Sequence, residues 1–400
     1  MFLSERLPFP LNDGGNLRSY HILKGLAREH EVHLVAHHRS GNHADAIGAL
    51  SELCQVTTVP AAGKLRQLVA AGFWGTVSSQ SLFVAKNWSR NLLAAADGLL
   101  GKYEFDAIHF NHLDAACYSL ARQWPQRQVF DTHNCLSTMA TELAKDSKTA
   151  WRRLLFGREA KRLRNTERDV CGKMDAVLVC SQEEADAFQS LMGSGRVVVA
   201  PNGVDCLRFR PRKNESEEPG SIVFVGSMGY FPNEDAAIYL CNEVLPKLRG
   251  LSPAPKVYLV GKDPSPRVLQ LHDGQRVIVT GAVEDVRPYL EKAALVVVPL
   301  RHGAGTRLKI LEAFAMGKTV ISTHKGAEGI PAADGTEILL ASDPDGLAAH
   351  IISIWNSPEL RCKIGCAAAT LAKTRFDWAR VQDVVLDTYR AFHQRNTSTI

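Results

Sequence analysis

The sequence predicts an α/β protein made of two Rossmann-like, doubly wound parallel-sheet domains that face one another across a ligand-binding cleft. Three observations carry that prediction. Short apolar β runs alternate with helical stretches along nearly all of the 400 residues, as βαβ units require. The alternation breaks once, at RPRKNESEEPG (210–220), a charged stretch with a linker's composition. A second series of the same kind then begins. The expected division is therefore an N-terminal domain at 1–204, a linker at 205–220, a second domain at 221–375 and a terminal helix at 376–400. Return of that helix onto the first domain is left open.

In chain order, the first strand is MFLS (1–4), short for a central parallel strand. Either the strand is stunted or the native chain begins upstream of Met1. The pattern NLRSYHILKGLAREH (16–30) is helical, and EVHLVAHH (31–38), QVTTVP (55–60), FDAIHFN (105–111), QVFDTHN (128–134), DAVLVCS (175–181) and VVVAPNGV (197–204) are strands. The second series comprises SIVFVGS (221–227), KVYLVG (256–261), RVIVTG (276–281), ALVVVPL (294–300), TVIST (319–323) and EILLA (337–341). FDWARVQDVVLDTYRAFHQ (376–394) closes the chain as one amphipathic helix.

Bulk properties exclude several classes. With 45% hydrophobic residues the chain can bury real cores. A net charge of +5 is too small to point to nucleic acid. Nine scattered cysteines show neither a disulfide framework nor zinc spacing, and Cys362 with Cys366 reads as a pair of helix-packed thiols. No signal peptide opens the chain, and no apolar run approaches the roughly 20 residues that span a bilayer. The expected setting is cytoplasmic and reducing. No G-x-G-x-x-G follows an early strand, which argues against a nucleotide-dependent dehydrogenase.

The most informative stretch is LRHGAGTRLKILEAFAMGKTVIST (300–323). It reads as strand end, glycine-punctuated loop, helix and strand, with Leu308, Leu311, Phe314 and Ala315 at helical spacing. Arg307 and Lys309 stand at the loop-to-helix junction. In parallel sheets that junction lies at the carboxyl edge, where ligands bind, and a helix start offers free N–H groups to an anion. This predicts a phosphate site. Glu312, an acid inside the apolar run LEAFA, needs a partner. Asn12-Asp13-Gly14-Gly15 follows the first strand and lets backbone come close to a phosphate or sugar. His133 ends a strand at the same edge, where Asp131 either orients it or caps the next helix.

Taken together, NDGG (12–15), DTHN (131–134), VLVCSQEEADAF (177–188), APNGVDCLRF (200–209), FVGSM (224–228), TGAVEDVRPYL (280–290) and TRLKILEAFAMGKTVIST (306–323) resemble the family-4 glycosyltransferases. The resemblance spans nearly the whole chain. It implies the GT-B fold, a nucleotide-sugar donor such as a UDP- or GDP-sugar, retention of anomeric configuration, and no cofactor or metal. It also implies roles. Arg307 grips the diphosphate bidentately and Lys309 adds a point charge. Glu312 accepts from the ribose hydroxyls. His133 hydrogen-bonds the donor sugar while the leaving phosphate takes the acceptor's proton. Gly14 and Gly15 contact the donor, and Val283 in GAVED (281–285) lies near the base. The family's first motif glutamate falls on Ala304, so backbone of Gly303, Ala304, Gly305 and Thr306 serves the sugar instead. Many relatives carry a GR…K pattern where this chain reads VGSMGYFPNED (225–235). That loss concentrates the positive charge on Arg307 and Lys309. Glu328 reads as a plain loop residue.

The resemblance thus implies a hexosyltransferase-type enzyme of polysaccharide or glycoconjugate synthesis, acting on a glycan, lipid-linked or small-molecule hydroxyl. Acceptor contacts are expected from 61–100 and 135–150. Two alternatives stay open, a GT-B sugar-nucleotide epimerase and a non-catalytic nucleotide-sugar-binding protein. The basic stretch WRRLLFGREAKRLRNTER (151–168) reads first as a solvated helix face. Peripheral contact with the inner face of a membrane is its other reading.

Overall fold

The computed structural model of the protein describes residues 1–38, 43–61, 81–147, 149–192, 195–211, 217–303, 305 and 307–397, the last five by backbone alone. The chain divides into two compact units, Met1–Pro201 with Gln382–Ile400, and Asn202–Val381.

The first unit is a seven-stranded sheet, β1 (Phe2–Ser4), β2 (His33–His38), β3 (Gln55–Pro60), β4 (Ala107–Asn111), β5 (Arg127–Asp131), β6 (Ala176–Val179) and β7 (Arg196–Val199), in the order β3-β2-β1-β4-β5-β6-β7. Every pairing is parallel. Central strands buried on both faces explain the continuous apolar runs: Val177, Leu178 and Val179 are all fully buried. Short as it is, β1 is central, with Phe2 opposite both Leu34 and His109. The seventh strand ends earlier than VVVAPNGV suggests. The Ala200 N–H closes the ladder on Val179 O at 2.8 Å, and Pro201 has no N–H to extend it.

The second unit is a six-stranded parallel sheet, β8 (Ser221–Val225), β9 (Lys256–Val260), β10 (Val277–Gly281), β11 (Leu295–Val298), β12 (Val320–Thr323) and β13 (Leu339–Ala341), ordered β10-β9-β8-β11-β12-β13. One close backbone approach sets its carboxyl edge. Gly261 has φ +148°, and a Cβ there would lie 1.8 Å from the carbonyl oxygen of Gly226, so only glycine fits.

In each unit strand order reverses once, between β1 and β4 and between β8 and β11. These are the switch points at which a doubly wound sheet leaves a crevice at its carboxyl edge. The loops read from the sequence as glycine-rich follow β1 and β11 and so line those crevices.

The terminal helix runs Trp378–Thr397, and from Gln382 onward it belongs to the first unit. There Gln382 packs on Gly25, where a Cβ would come within 2.6 Å of its Cγ, and its Nε2 donates to His21 O at 2.9 Å. Of the expected linker, residues 212–216 lie outside the described residues. Glu217 pairs with Arg361 at 2.6 Å and Glu218 accepts from Tyr258 at 2.8 Å, which ties the end of that stretch to the second unit. The reading of Cys362 and Cys366 as packed thiols is corrected. Both are exposed on the Pro358–Leu371 helix, their sulfurs 3.7 Å apart, because its buried face falls on Ile364, Gly365 and Ala368. Among the described residues no helix is long and apolar enough to cross a membrane.

Candidate functional site

At the β8–β11 crevice the sequence places three charged side chains together. Arg307 stands at the start of the Leu308–Ala315 helix and is buried. Gly303, with φ +101°, lies flat against it: a Cβ there would sit 3.3 Å from both Nη1 and Nη2. Gly305 also has positive φ, +85°. Ala304 and Thr306 lie outside the described residues.

Two residues on, the Lys309 ammonium donates to Asn233 Oδ1 at 2.7 Å and sits 4.4 Å from the centre of the Phe224 ring. Asn233 is held in turn by donating to Ser227 O at 3.0 Å. Gly226 makes room, since a Cβ there would lie 2.9 Å from Lys309 Nζ. Burial, reinforced by Arg307, pushes the Lys309 pKa down to about 7, with Glu312 opposing. Burial likewise pushes Glu312 up to about 7, against the pull of Lys309 and Arg208. The charged form of each is therefore poorly solvated, and a ligand that supplies counter-charge or hydroxyls restores what burial removes.

Val283 is half-buried against the core at the end of β10. Its loop is pinned by Asp285, which accepts from the Arg287 backbone at 2.9 Å and its guanidinium at 2.8 Å. Glu328 pairs with Lys325 at 2.7 Å on the surface, as a loop residue would.

At the β1–β4 crevice, Asp13 caps the Gly14–Leu26 helix by accepting from Asn16 N at 2.9 Å, and takes a second bond from Arg6 at 2.9 Å. Gly15 lies between Arg6 and His133: a Cβ there would be 2.9 Å from Arg6 Nη2 and 3.6 Å from His133 Nδ1. His133 Nε2 lies 3.1 Å from Asn111 Oδ1, and its ring centre is 4.2 Å from that of His112. Burial, then the neighbouring His112 and Arg18, hold the His133 pKa well below the usual imidazole range. His112, with φ +78°, is pushed down to about 4 by burial and by Arg6.

Asp131 does not cap the following helix, whose N-cap, Cys135, makes no side-chain capping bond. It is fully buried and receives Arg18 Nε at 3.1 Å and Nη2 at 2.5 Å, while Arg18 Nη1 donates to Ala200 O at 2.7 Å. Its second oxygen lies 3.8 Å from His133 Nε2. Below it, His109 Nδ1 lies 2.8 Å from the Tyr389 hydroxyl of the terminal helix.

The structure thus brings Arg307, Lys309, Glu312 and Gly303 together, and separately His133, Gly14 and Gly15. Sequence reasoning missed Arg18, Asn111, His112 and Asn233. Asn233 stood inside VGSMGYFPNED, where only a lost Arg or Lys was sought. Asn111 ends a strand, a legible position for a site residue. It also missed Asp114, whose carboxyl is pushed up to about 7 by burial and Glu5 and accepts from Asn87 at 3.0 Å.

Comparison with known proteins agrees with this architecture. A family model described as Glycosyltransferase Family 4 matches residues 12–208, and one described as Glycosyl transferases group 1 matches residues 219–357. Over 395 residues the chain is 22% identical to an uncharacterized 44.6 kDa protein in the cps region of Klebsiella pneumoniae, covering 95% of this chain and 96% of that one. A solved sucrose-phosphate synthase from Thermosynechococcus elongatus superposes with a TM-score of 0.72 at 18% identity, covering 99% of this chain and 98% of that one. The Anabaena protein HepE in complex with UDP gives 0.68 at 14% identity, covering 98% and 99%. At such identities the solved structures speak for the fold, and the two family models, one on each side of the expected linker, speak for the enzyme class. The chain belongs to the family-4-like glycosyltransferases of the GT-B fold.

Proposed function

We propose that the protein is a retaining, metal-independent hexosyltransferase. It moves a sugar from a nucleoside-diphosphate donor, a UDP- or GDP-sugar, to a hydroxyl of a glycan, lipid-linked or small-molecule acceptor in polysaccharide or glycoconjugate synthesis. The observation that carries this reading is the cluster of Arg307, Lys309 and Glu312 at the β8–β11 switch point, with Lys309 and Glu312 both held near neutrality. A diphosphate supplies the negative charge that Arg307 and Lys309 face, and the ribose hydroxyls donate to Glu312. The fixed cations then stabilise the charge that develops as the anomeric C–O bond breaks towards phosphate. The acceptor oxygen bonds to the anomeric carbon, and its proton passes to the departing phosphate oxygen. A structural neighbour that holds UDP is in keeping with such a donor.

Retention is supported by the state of the two groups first suited to act as a base. Asp131 is committed to Arg18, and His133 is a weak base in its buried setting.

The test is thermal unfolding against UDP, GDP, ADP and dTDP, with and without EDTA. Ligand at 100 times its Kd adds about 2.7 kcal/mol, a melting shift of roughly 5–11 °C for a unit this size. One nucleotide should produce that shift, EDTA should leave it unchanged, and Arg307→Ala should abolish it. No shift with any nucleotide would sink the donor-site reading. The anomer of the transfer product, read by NMR, decides between retention and inversion.

A further inference from the structure

The Ala150–Cys171 helix carries a surface that the transfer reaction does not use. Its inward face is Ala160, Leu163, Glu167 and Val170, all buried. Its outward face is divided along its length. The first turns expose Trp151 at 62%, Leu154 at 64% and Leu155 at 43%, three large apolar side chains spaced i, i+3, i+4 and so side by side. Arg158, Lys161 and Arg164 follow, all exposed, with Arg158 and Lys161 continuing the same stripe. Leu143, on the preceding Leu136–Asp146 helix, is exposed as well, at 50%.

Charge is one-sided here. Trp151–Arg168 holds seven Lys or Arg and two acids, and neither acid neutralises the outward face. Glu159 accepts from Ser81 Oγ at 2.6 Å and from Phe83 N at 3.2 Å. Glu167 is buried and accepts from Ser137 N at 3.2 Å. Unlike a solvated helix face, this one exposes a contiguous apolar cluster that water disfavours. Unlike a nucleic-acid surface, it leads with aliphatic and indole groups rather than polar ones. Apolar side chains inserting beside a row of cations match the boundary of an anionic bilayer, where acyl chains lie just beneath phosphate.

We propose that this helix face docks the protein onto an anionic lipid membrane, with Trp151, Leu154 and Leu155 entering the acyl boundary and Arg158, Lys161 and Arg164 meeting the headgroup phosphates. The attachment is peripheral and reversible, and it is independent of the donor-site reading, since none of these residues belongs to either crevice.

The test is co-sedimentation of the full chain with vesicles of phosphatidylcholine alone or with 30 mol% phosphatidylglycerol added (roughly the anionic fraction that sets a usable surface potential). Wild type should sediment with the anionic vesicles only, and less at high salt. Arg158→Gln/Lys161→Gln/Arg164→Gln should weaken partitioning roughly 100-fold, taking each cation's usual contribution at a charged surface. Trp151→Ser/Leu154→Ser should abolish it even at low salt, and the Trp151 emission should shift to the blue on binding. Both variants change exposed positions, so each should keep the wild-type melting temperature, which excludes unfolding as the cause. Failure of wild type to bind anionic vesicles at low salt overturns the proposal. So does equal binding by both variants, or a wild-type dimer in sedimentation velocity that Trp151→Ser/Leu154→Ser dissolves, which would make the face an interface between copies.

Discussion

The side-chain oxygen of Asn111 faces Nε2 of His133 at 3.1 Å, and the surrounding bonds allow that amide one orientation. Ser4 Oγ donates to Arg6 O at 2.8 Å, so it can only accept from Asn111, whose Nδ2 supplies the bond at 2.9 Å. Oδ1 is left facing His133 and Ser19 Oγ, which lies 3.0 Å away and shares its one proton with Gly15 O at 2.8 Å. An acceptor opposite Nε2 requires the proton there, and Nδ1 becomes the acceptor on the side of Gly15.

It follows that His133 receives a hydroxyl hydrogen rather than donating one. In histidine-labelled protein, long-range ¹⁵N spectra should show His133 as the Nε2–H tautomer, and Asn111→Leu should mix the tautomers. With that variant kcat should fall about five- to tenfold, the equivalent of one ordinary hydrogen bond near 1 kcal/mol. An Nδ1–H tautomer in the wild type would refute the assignment.

Lys309 makes nucleotide binding pH-dependent. Its pKa in the free site is about 7, and a bound diphosphate raises it. Between those two values binding takes up a proton, so affinity should fall as pH rises from 7 towards 9, by up to tenfold per unit. Isothermal titration calorimetry in buffers of different ionisation enthalpy should count that proton. Lys309→Met should bind more weakly and without the slope.

The same two groups shape stability. Lys309 is depressed, so between about 7 and its ordinary 10.5 the unfolded chain binds the extra proton and stability rises with pH. Glu312 is raised, so between 4.5 and about 7 the folded chain binds it and stability falls with pH. The second unit should therefore pass through a local minimum of stability near pH 7, shallower in Glu312→Gln. A denaturant series across pH checks this.

Glu312 should matter for the nucleoside and not for the diphosphate. Glu312→Ala should weaken UDP or GDP by roughly 10–100-fold, as for one or two hydrogen bonds to a charged group, and leave pyrophosphate binding unchanged. Equal loss for both ligands would mean that Glu312 acts through Lys309 instead.

The Arg18–Asp131 pair lies wholly inside the first unit. Removing one partner leaves an uncompensated buried charge, so Arg18→Met or Asp131→Leu should each cost about 3–5 kcal/mol in denaturant unfolding. The double variant should recover most of that loss.

Much of the fold was written locally. All thirteen strands coincide with runs read from the sequence; the central ones are apolar because both faces of a parallel sheet are covered, while the edge strand β3 carries two threonines and buries no residue. The alternation itself implied two doubly wound sheets, and Arg307, Lys309 and Glu312 share one six-residue stretch whose turn and helix are local features. Tertiary structure decided the rest. Asn233 reaches Lys309 across 76 positions, Arg18 meets Asp131 across 113, and His109 meets Tyr389 across 280. No periodicity encodes such pairs, since they exist only once strand order puts β1 beside β4 and β8 beside β11. The same holds for the pKa values near 7, which come from burial by residues distant in sequence. Charge and hydropathy along 151–168 could mark a basic helix, but only packing could show which of its faces stays in water.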